Sequence, residues 1–512
     1  MLAMTFTSTL VAQRPAALPL KHVPEPTTAD ITPSDLMTRL YIYADDSLMG
    51  REVGTPYHLK ATAYIEREVR RLGLTPAGDS GTYFQNIPVF NETVSDAPAL
   101  GIDGRSFRGL TDFIPRDNAV FGAPVRSLDG VPVVYGGVYS PGGDTSSMLS
   151  PMAVMGKFVV ISVPNGPDGK PLWGNNRQQL TARYIMSAGI GVVSLDAIPE
   201  SEKPTILAPT LTFRNGDADP PQLPAFMYIS NTMAEALMGA SLSGMARGAT
   251  GQTLRGELKW NLKPAPGRNV VAILPGSDPK LKREYVAIGA HNDHVGFNNE
   301  PVDHDSLRAL NSVVRPHGAD DPEREATLDE QKQVRFILDS LRRMNTPRRD
   351  SVFNGADDDG SGTVAALEIA EAFSKARTKP KRSLLFIWHA GEEKGLWGSE
   401  YFTDHPTVPR DSIVTELNMD MIGRGGPHDE TDGGPGYLQL IGSKRLSTEL
   451  GDIVEELGMH EPLPFRFDYS FDANGHPQQY YCRSDHYEYA RYGIPITFFS
   501  TGGHRDYHQV TD

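Results

Sequence analysis

Cysteine occurs once, at Cys482. No intrachain disulfide can therefore form, and a Cys-rich zinc site is excluded, so any metal must be held by His, Asp and Glu. Basic residues are in deficit as well: 49 Lys and Arg against 64 Asp and Glu leave a formal charge of −15. A nucleic-acid backbone is thereby excluded as the main partner, because phosphate binding needs clustered Lys and Arg. No run approaches the ~20 apolar residues needed to cross a bilayer. What is present, 39% hydrophobic and 22% charged residues, describes an ordinary soluble globular protein, and its 512 residues suit two to four domains. The 50 Gly and 40 Pro fit a loop-rich α/β chain better than a helical bundle.

The opening Met1 to Gln13 is apolar and small, like the later part of a secretory signal peptide without its basic start. It predicts a secreted or periplasmic protein, with residues 1–28 as a signal-peptide remnant and a Pro-rich linker. Thr32-Pro33-Ser34-Asp35 and Thr55-Pro56 then announce two helices. The second carries the stripe Ala61, Ile65, Val69, Leu72, so 29–102 reads as the first part of the main domain. From 103 to 262 short β-rich runs (Val131 to Tyr135, Phe158 to Val163, Gly191 to Leu195, Ala225 to Ile229) alternate with Gly/Pro/Asp turns and one helix near Gln178 to Ser187. No cluster of His, Asp and Glu at ligand spacing accompanies them, which predicts an inserted domain without chemistry of its own.

Residues 263–512 alternate strand, loop and helix. Val270 to Leu274, Tyr285 to Ile288, Leu384 to Trp388, Val414 to Met419 and Ile494 to Phe499 read as strands, and Ala366, Ile369, Ala370 and Phe373 as a helical stripe. The pattern predicts an α/β fold, a mostly parallel mixed sheet flanked by helices, with its site at the carboxyl ends of the strands. Segment 301–354 interrupts it with one amphipathic helix, whose inner face is Val334, Ile337, Leu338 and Leu341.

Chemistry-bearing residues follow those strands one by one. They are His291 with Asp293, two positions on and pointing the same way; the acidic turn Asp357-Asp358-Asp359; Glu392-Glu393; Asp420 between two Met residues; and His504 with His508. Each signal alone is modest. Together they supply the imidazoles and carboxylates that two metal ions sharing a bridging carboxylate require.

The series GAHNDH, NGADDDGSG, GEEKGLWGSEYF, NMDMIGR and SDHYEYARYGIPITFFSTGGHRDYH resembles the M28 family of co-catalytic zinc aminopeptidases, motif by motif and in order. The β-rich 103–262 resembles, in texture and position, the protease-associated domain such enzymes carry. The resemblance implies two Zn2+ ions (cobalt or manganese also fit), with His291, Asp358 as bridge, Glu393, Asp420 and His508 as ligands. It implies Glu392 as general base, Asp293 as orienting acid, and His504, Asp485 and His486 as supporting residues. The other histidines default to surface or packing. Peptide substrates, cleaved at the N-terminus, follow from the same resemblance. Carboxypeptidase or dipeptidase action, a single-zinc glutaminyl cyclase and a non-catalytic receptor-like protein are the alternatives. The full ligand set argues against the last two. Segment 301–354 is longer than the family places there, and the chain stops four residues after His508, which reads as a C-terminal truncation.

Overall fold

The computed structural model describes residues 25–95, 99–116, 125–139, 145–166, 177–215, 223–430 and 433–512. The apolar start at 1–13, the linker up to 24 and His22 lie outside the described residues. The chain forms two compact units, one of residues 1–52, 57–85 and 269–512, the other of residues 53–56 and 86–268. The second unit thus begins before the expected boundary at 103, because the strand Val89–Val94 pairs with the long strand Thr250–Pro264 inside it.

In the first unit the principal strands are β1 (Arg268–Leu274), β2 (Tyr285–His291), β3 (Ser383–His389), β4 (Ile413–Met419), β5 (Tyr437–Ile441) and β6 (Ile496–Ser500). They lie in the order β1-β3-β2-β4-β6-β5 within a nine-stranded sheet. The four central strands are mutually parallel, while β1 and β5 pair antiparallel at the flanks. Central parallel strands are covered on both faces and so read as unbroken apolar runs; β3 is buried at all seven positions.

The helices are α1 (Pro33–Tyr43), α2 (Pro56–Arg71), α3 (His304–Val314), α4 (Leu328–Met344), α5 (Gly362–Lys375), α6 (Trp397–Asp404), α7 (Thr448–Met459) and α8 (His486–Ala490). α1 starts where the sequence places it, with the Thr32 hydroxyl accepting from the Asp35 amide. Tyr43, Ala61, Ile65 and Val69 of α1 and α2 join Leu367 and Ala370 of α5 against Leu384, Phe386 and Trp388. Phe402 of α6 and Tyr489 of α8 cover Leu385 and Ile387 on the other face. Phe373, expected inside, is 38% exposed, because the buried stripe of α5 runs through Ala366, Leu367 and Ala370 instead. Segment 301–354 forms an antiparallel ribbon, Phe297–Asp303 with Arg349–Val352, that carries α3 and α4. Val334, Ile337, Leu338 and Leu341 are half-buried on α4, as its periodicity predicts, together with Glu330 and Ser340.

The second unit is built around four parallel strands, Val131–Val138, Phe158–Ser162, Gly189–Val193 and Ala225–Ile229. Two apolar clusters lie on its sheet, one including Phe158, Met227 and Leu237, the other Ile161, Ile190 and Tyr184.

Phe386 is fully buried, with its ring stacked 6.2 Å from that of Trp388. Phe386→Ala should cost the first unit about 3–5 kcal/mol through lost transfer energy and a cavity. Denaturant titration followed by tryptophan fluorescence reads this; a loss below about 1 kcal/mol would mean that the core collapses around the gap.

Candidate metal centre

The sheet brings the chemistry together at the carboxyl ends of its central strands. His291 is the last residue of β2, and its main chain is pinned from both sides. The Thr363 hydroxyl of α5 donates to the His291 carbonyl at 2.6 Å, and the Tyr43 hydroxyl of α1 to the Asn292 carbonyl at 2.8 Å. The acidic turn is set by buried Arg51, whose guanidinium donates to the Gly355 carbonyl at 3.0 Å. Gly362 then opens α5 in tight quarters: a Cβ there would come within 2.2 Å of the Met419 carbonyl oxygen. Only a residue without a side chain lets the helix N-terminus approach β4 this closely.

Asp358 lies between two imidazoles. Its Oδ1 is 3.1 Å from His291 Nε2, and its Oδ2 is 2.9 Å from His508 Nε2. On the first side His291 Nε2 also lies 3.6 Å from Asp420 Oδ1. On the second, His508 Nε2 is 2.9 Å from Glu393 Oε2, and His294 Nδ1 is 2.6 Å from Glu393 Oε1. Two groups could each hold a cation, with donor atoms all within 4.8 Å: His294, Asp358, Glu393 and His508, and His291, Asp359 and Asp420. Glu392 stands beside them, Oε2 3.9 Å from His291 Nε2. Six of the seven residues singled out in the sequence therefore converge.

Asp293 is the exception. Its carboxylate lies 3.8 Å from His291 Nδ1, too long for a hydrogen bond. Instead it accepts from the amides of Gly391 and Glu392 at 2.7 and 3.2 Å. It thereby fixes the turn that presents Glu392, while its charge stays within ion-pair reach of the His291 ring. Asp359 is committed in the same way: one oxygen accepts from the His291 amide, the other from the Gly362 and Met421 amides. This leaves Asp358 as the carboxylate with an oxygen free for each side.

His294, a packing residue by sequence, belongs to the centre; its only signal was its place three residues after His291. His504 sits outside the two groups, its Nε2 3.2 Å from Asp357 Oδ2. Asp512 accepts from the amides of Asp357 and Asp358 at 3.3 and 3.2 Å, a support with no motif to announce it. Ser484 donates to Asp420 Oδ2 at 2.7 Å. Asp485 lies deeper, 3.4 Å from His389 Nδ1, and His486 stacks on Phe498 with ring centroids 4.6 Å apart.

The electrostatics follow from crowding acids out of water. Burial pushes Glu392 well above the usual carboxylate range, and Asp420 and Glu393 add to the push against the pull of His291. Burial also opposes ionisation of Asp358, but hydrogen bonds from His291 and His508 outweigh it and hold the group well below that range. Burial likewise disfavours the His508 cation, yet Glu393 and Asp358 raise it to about 11. Asp358 and the His508 imidazole thus favour each other's charged form. Asp420 Oδ1 and His294 Nε2 are buried without hydrogen-bond partners. Imidazole and carboxylate donors with such orphaned atoms fit a borderline divalent cation such as zinc, whose entry would displace protons.

Residues 329–512 match the family model of peptidase family M28. That stretch is similar to M28 peptidases. Its relatives include leupeptin-inactivating enzyme 1 of Streptomyces exfoliatus, 33% identical over 29% of this chain and 30% of that protein. A probable leucine aminopeptidase of Arthroderma benhamiae is 28% identical over 31% of this chain and 30% of its own. The matches thus span about a third of the length of these curated relatives. Among solved structures, an aminopeptidase from Aneurinibacillus sp. strain AM-1 aligns at 17% identity and a TM-score of 0.41, covering 93% of this chain and 87% of that one. A zinc aminopeptidase from Bacillus subtilis aligns at 17% identity and 0.42, covering 93% and 85%.

Glu488 of α8, 7% exposed, provides a pH test of the domain's stability. Burial raises its carboxyl from the ordinary 4.5 to about 7 against the pull of Arg491, and Glu400, Asp404 and Asp485 reinforce the rise. The folded state therefore holds a proton that the unfolded state has released, so stability falls as pH climbs from about 4.5 to about 7. Glu488→Gln should remove that part of the slope; denaturant midpoints across the window measure it, and an unchanged slope would assign the dependence to other groups.

Proposed function

We propose that this protein is a two-metal aminopeptidase, removing N-terminal residues from peptides with Glu392 as general base. One observation carries the reading: Asp358 faces both cation-capable groups while Glu392 stands beside them. His291 and Asp420 would hold one ion, His508, Glu393 and His294 the other, with Asp358 shared. When bound, the ions supply Lewis acidity toward water and the scissile carbonyl.

The chain's own residues do the rest. Glu392 accepts the proton of the attacking water and passes it to the departing amine. The Gly391 and Glu392 amides, tied to Asp293, keep that carboxylate at its station. The cleft beside it has Met421, Ile441 and Phe498 among its walls, which suit an apolar side chain. The cleft acids favour a free α-amine and hence exopeptidase action. The second unit is read as a protease-associated insert that contributes no reacting group; among the described residues both cation-capable groups belong to the first unit.

Glu392→Ala should bind zinc at wild-type stoichiometry, by elemental analysis, and hydrolyse aminoacyl chromogenic substrates at least about 10²–10⁴-fold more slowly. Near-normal turnover would remove Glu392 from the base role. Wild-type hydrolysis that survives a chelator would remove the metals.

A further inference from the structure

The ribbon-and-helix segment 301–354 has no role in the reaction as described, yet half of it lies against the loop that carries His508. α4 faces away: none of its residues is buried, and Phe336 is 73% exposed. α4 braces α3, through Arg342 to Asp303 at 2.7 Å and Asn345 to Asp305 at 3.0 Å. α3 and the turn after it make the contacts that matter.

Asn311 of α3, 1% exposed, donates to the Arg505 carbonyl at 2.9 Å, and Arg505 returns a bond to the Ser312 hydroxyl at 3.0 Å. The Ala319 amide donates to the Tyr507 carbonyl at 3.1 Å. Gly318 (φ +60°) is pressed onto the same strip: a Cβ would lie 2.6 Å from Tyr507 O, 2.9 Å from Tyr507 N and 3.0 Å from His504 O. Asp320 takes both arms of Arg483 at 2.9 and 3.1 Å, and Arg483 reaches the Tyr507 hydroxyl at 3.3 Å. Tyr507 is therefore held at its main chain and at its ring tip. That ring stacks on the His508 imidazole, with centroids 4.0 Å apart.

His508 needs such support. It has φ +52°, a left-handed conformation that is unfavourable for a residue with a side chain. Its side chain must nevertheless stay 2.9 Å from both Asp358 and Glu393.

We propose that residues 304–320 act as a positioning clamp for His508, with Asn311, Gly318 and Asp320 as positioning residues. The clamp sets the affinity of the group formed by His294, Asp358, Glu393 and His508 for its cation and leaves the His291–Asp420 side unaffected. The proposal rests on the two-metal reading above, so its test includes a readout that does not.

Full-length protein, stripped of metal, is titrated with Zn2+ against a chromophoric chelator as wild type, Asn311→Ala, Gly318→Ala and the exposed-face control Phe336→Ser. Wild type and control should bind two ions. The two clamp variants should keep one ion at unchanged affinity and bind the other about 10- to 100-fold more weakly, the usual effect of removing an outer support of a ligand. Wild-type affinities at both sites, or equal weakening at both from a general loss of fold, would overturn the clamp. Hydrogen exchange of the metal-free proteins separates this from failure of the metal reading. Amides of 504–511 should lose protection in Asn311→Ala while those of β2 keep it. Unchanged protection there sinks the clamp, and fewer than two ions on the wild type sinks only the two-metal reading.

Discussion

Asp358 offers one oxygen to His291 and the other to His508, and both halves of the centre are organised around this division. A carboxylate buried to this degree is tolerable only with positive charge on its open sides. The surroundings make the demand sharper, because buried Asp420 and half-buried Glu392 and Glu393 stand beside it and raise one another's proton affinity or compete for the same imidazoles. Removing one of these cations would leave an uncompensated buried charge, whereas a divalent ion on each side would satisfy several carboxylates at once.

Holding acids together against repulsion requires a backbone that cannot relax, and much of the neighbouring polarity is spent on that. Asp293 ties the turn before Glu392, Asp359 ties β2 to the start of α5 and to Met421, and Asp357 accepts from the Gly423 amide at 2.6 Å. Carboxylates that hold backbone amides in this way turn loop residues into parts of the sheet's framework. The apolar layers of α1, α2 and α5 on one face and α6 and α8 on the other supply the rigid platform beneath.

The strands, and the polar groups near their ends, were legible in the sequence because both follow from local rules. Buried parallel strands give apolar runs, and the residue after each run is where a side chain reaches the open end of the sheet. Local rules flagged the groups that contain His291, Asp358, Glu393, Asp420 and His508, and the resemblance to M28 peptidases singled out those five. What could not be read was which partner each polar group would choose. Asp293 shares the direction of His291 in an extended segment, but the Gly391 and Glu392 amides lie nearer, and they come from the turn after β3, about a hundred residues on. His294 resembled any histidine just past a strand until the fold laid Glu393 against it. Phe373 fell on a helical stripe whose Ala366, Ile369 and Ala370 do pack on the core, but at its own position the helix face is exposed.

The two sides of the centre also differ in how their histidines are fixed. His291 ends a strand flanked by β3 and β4, and its carbonyl and amide are taken by Thr363 and Asp359. Its position is therefore a property of the sheet. His508 lies on a loop in a left-handed conformation, where no ladder constrains it. A loop can reach geometries that a strand cannot, at the cost of local stability, and the rigidity must then come from elements packed on it. In this chain those elements are α3 and the turn at Gly318 to Asp320. An insertion far from the reacting atoms in sequence thus bears on only one half of the centre, the half whose backbone the sheet does not hold.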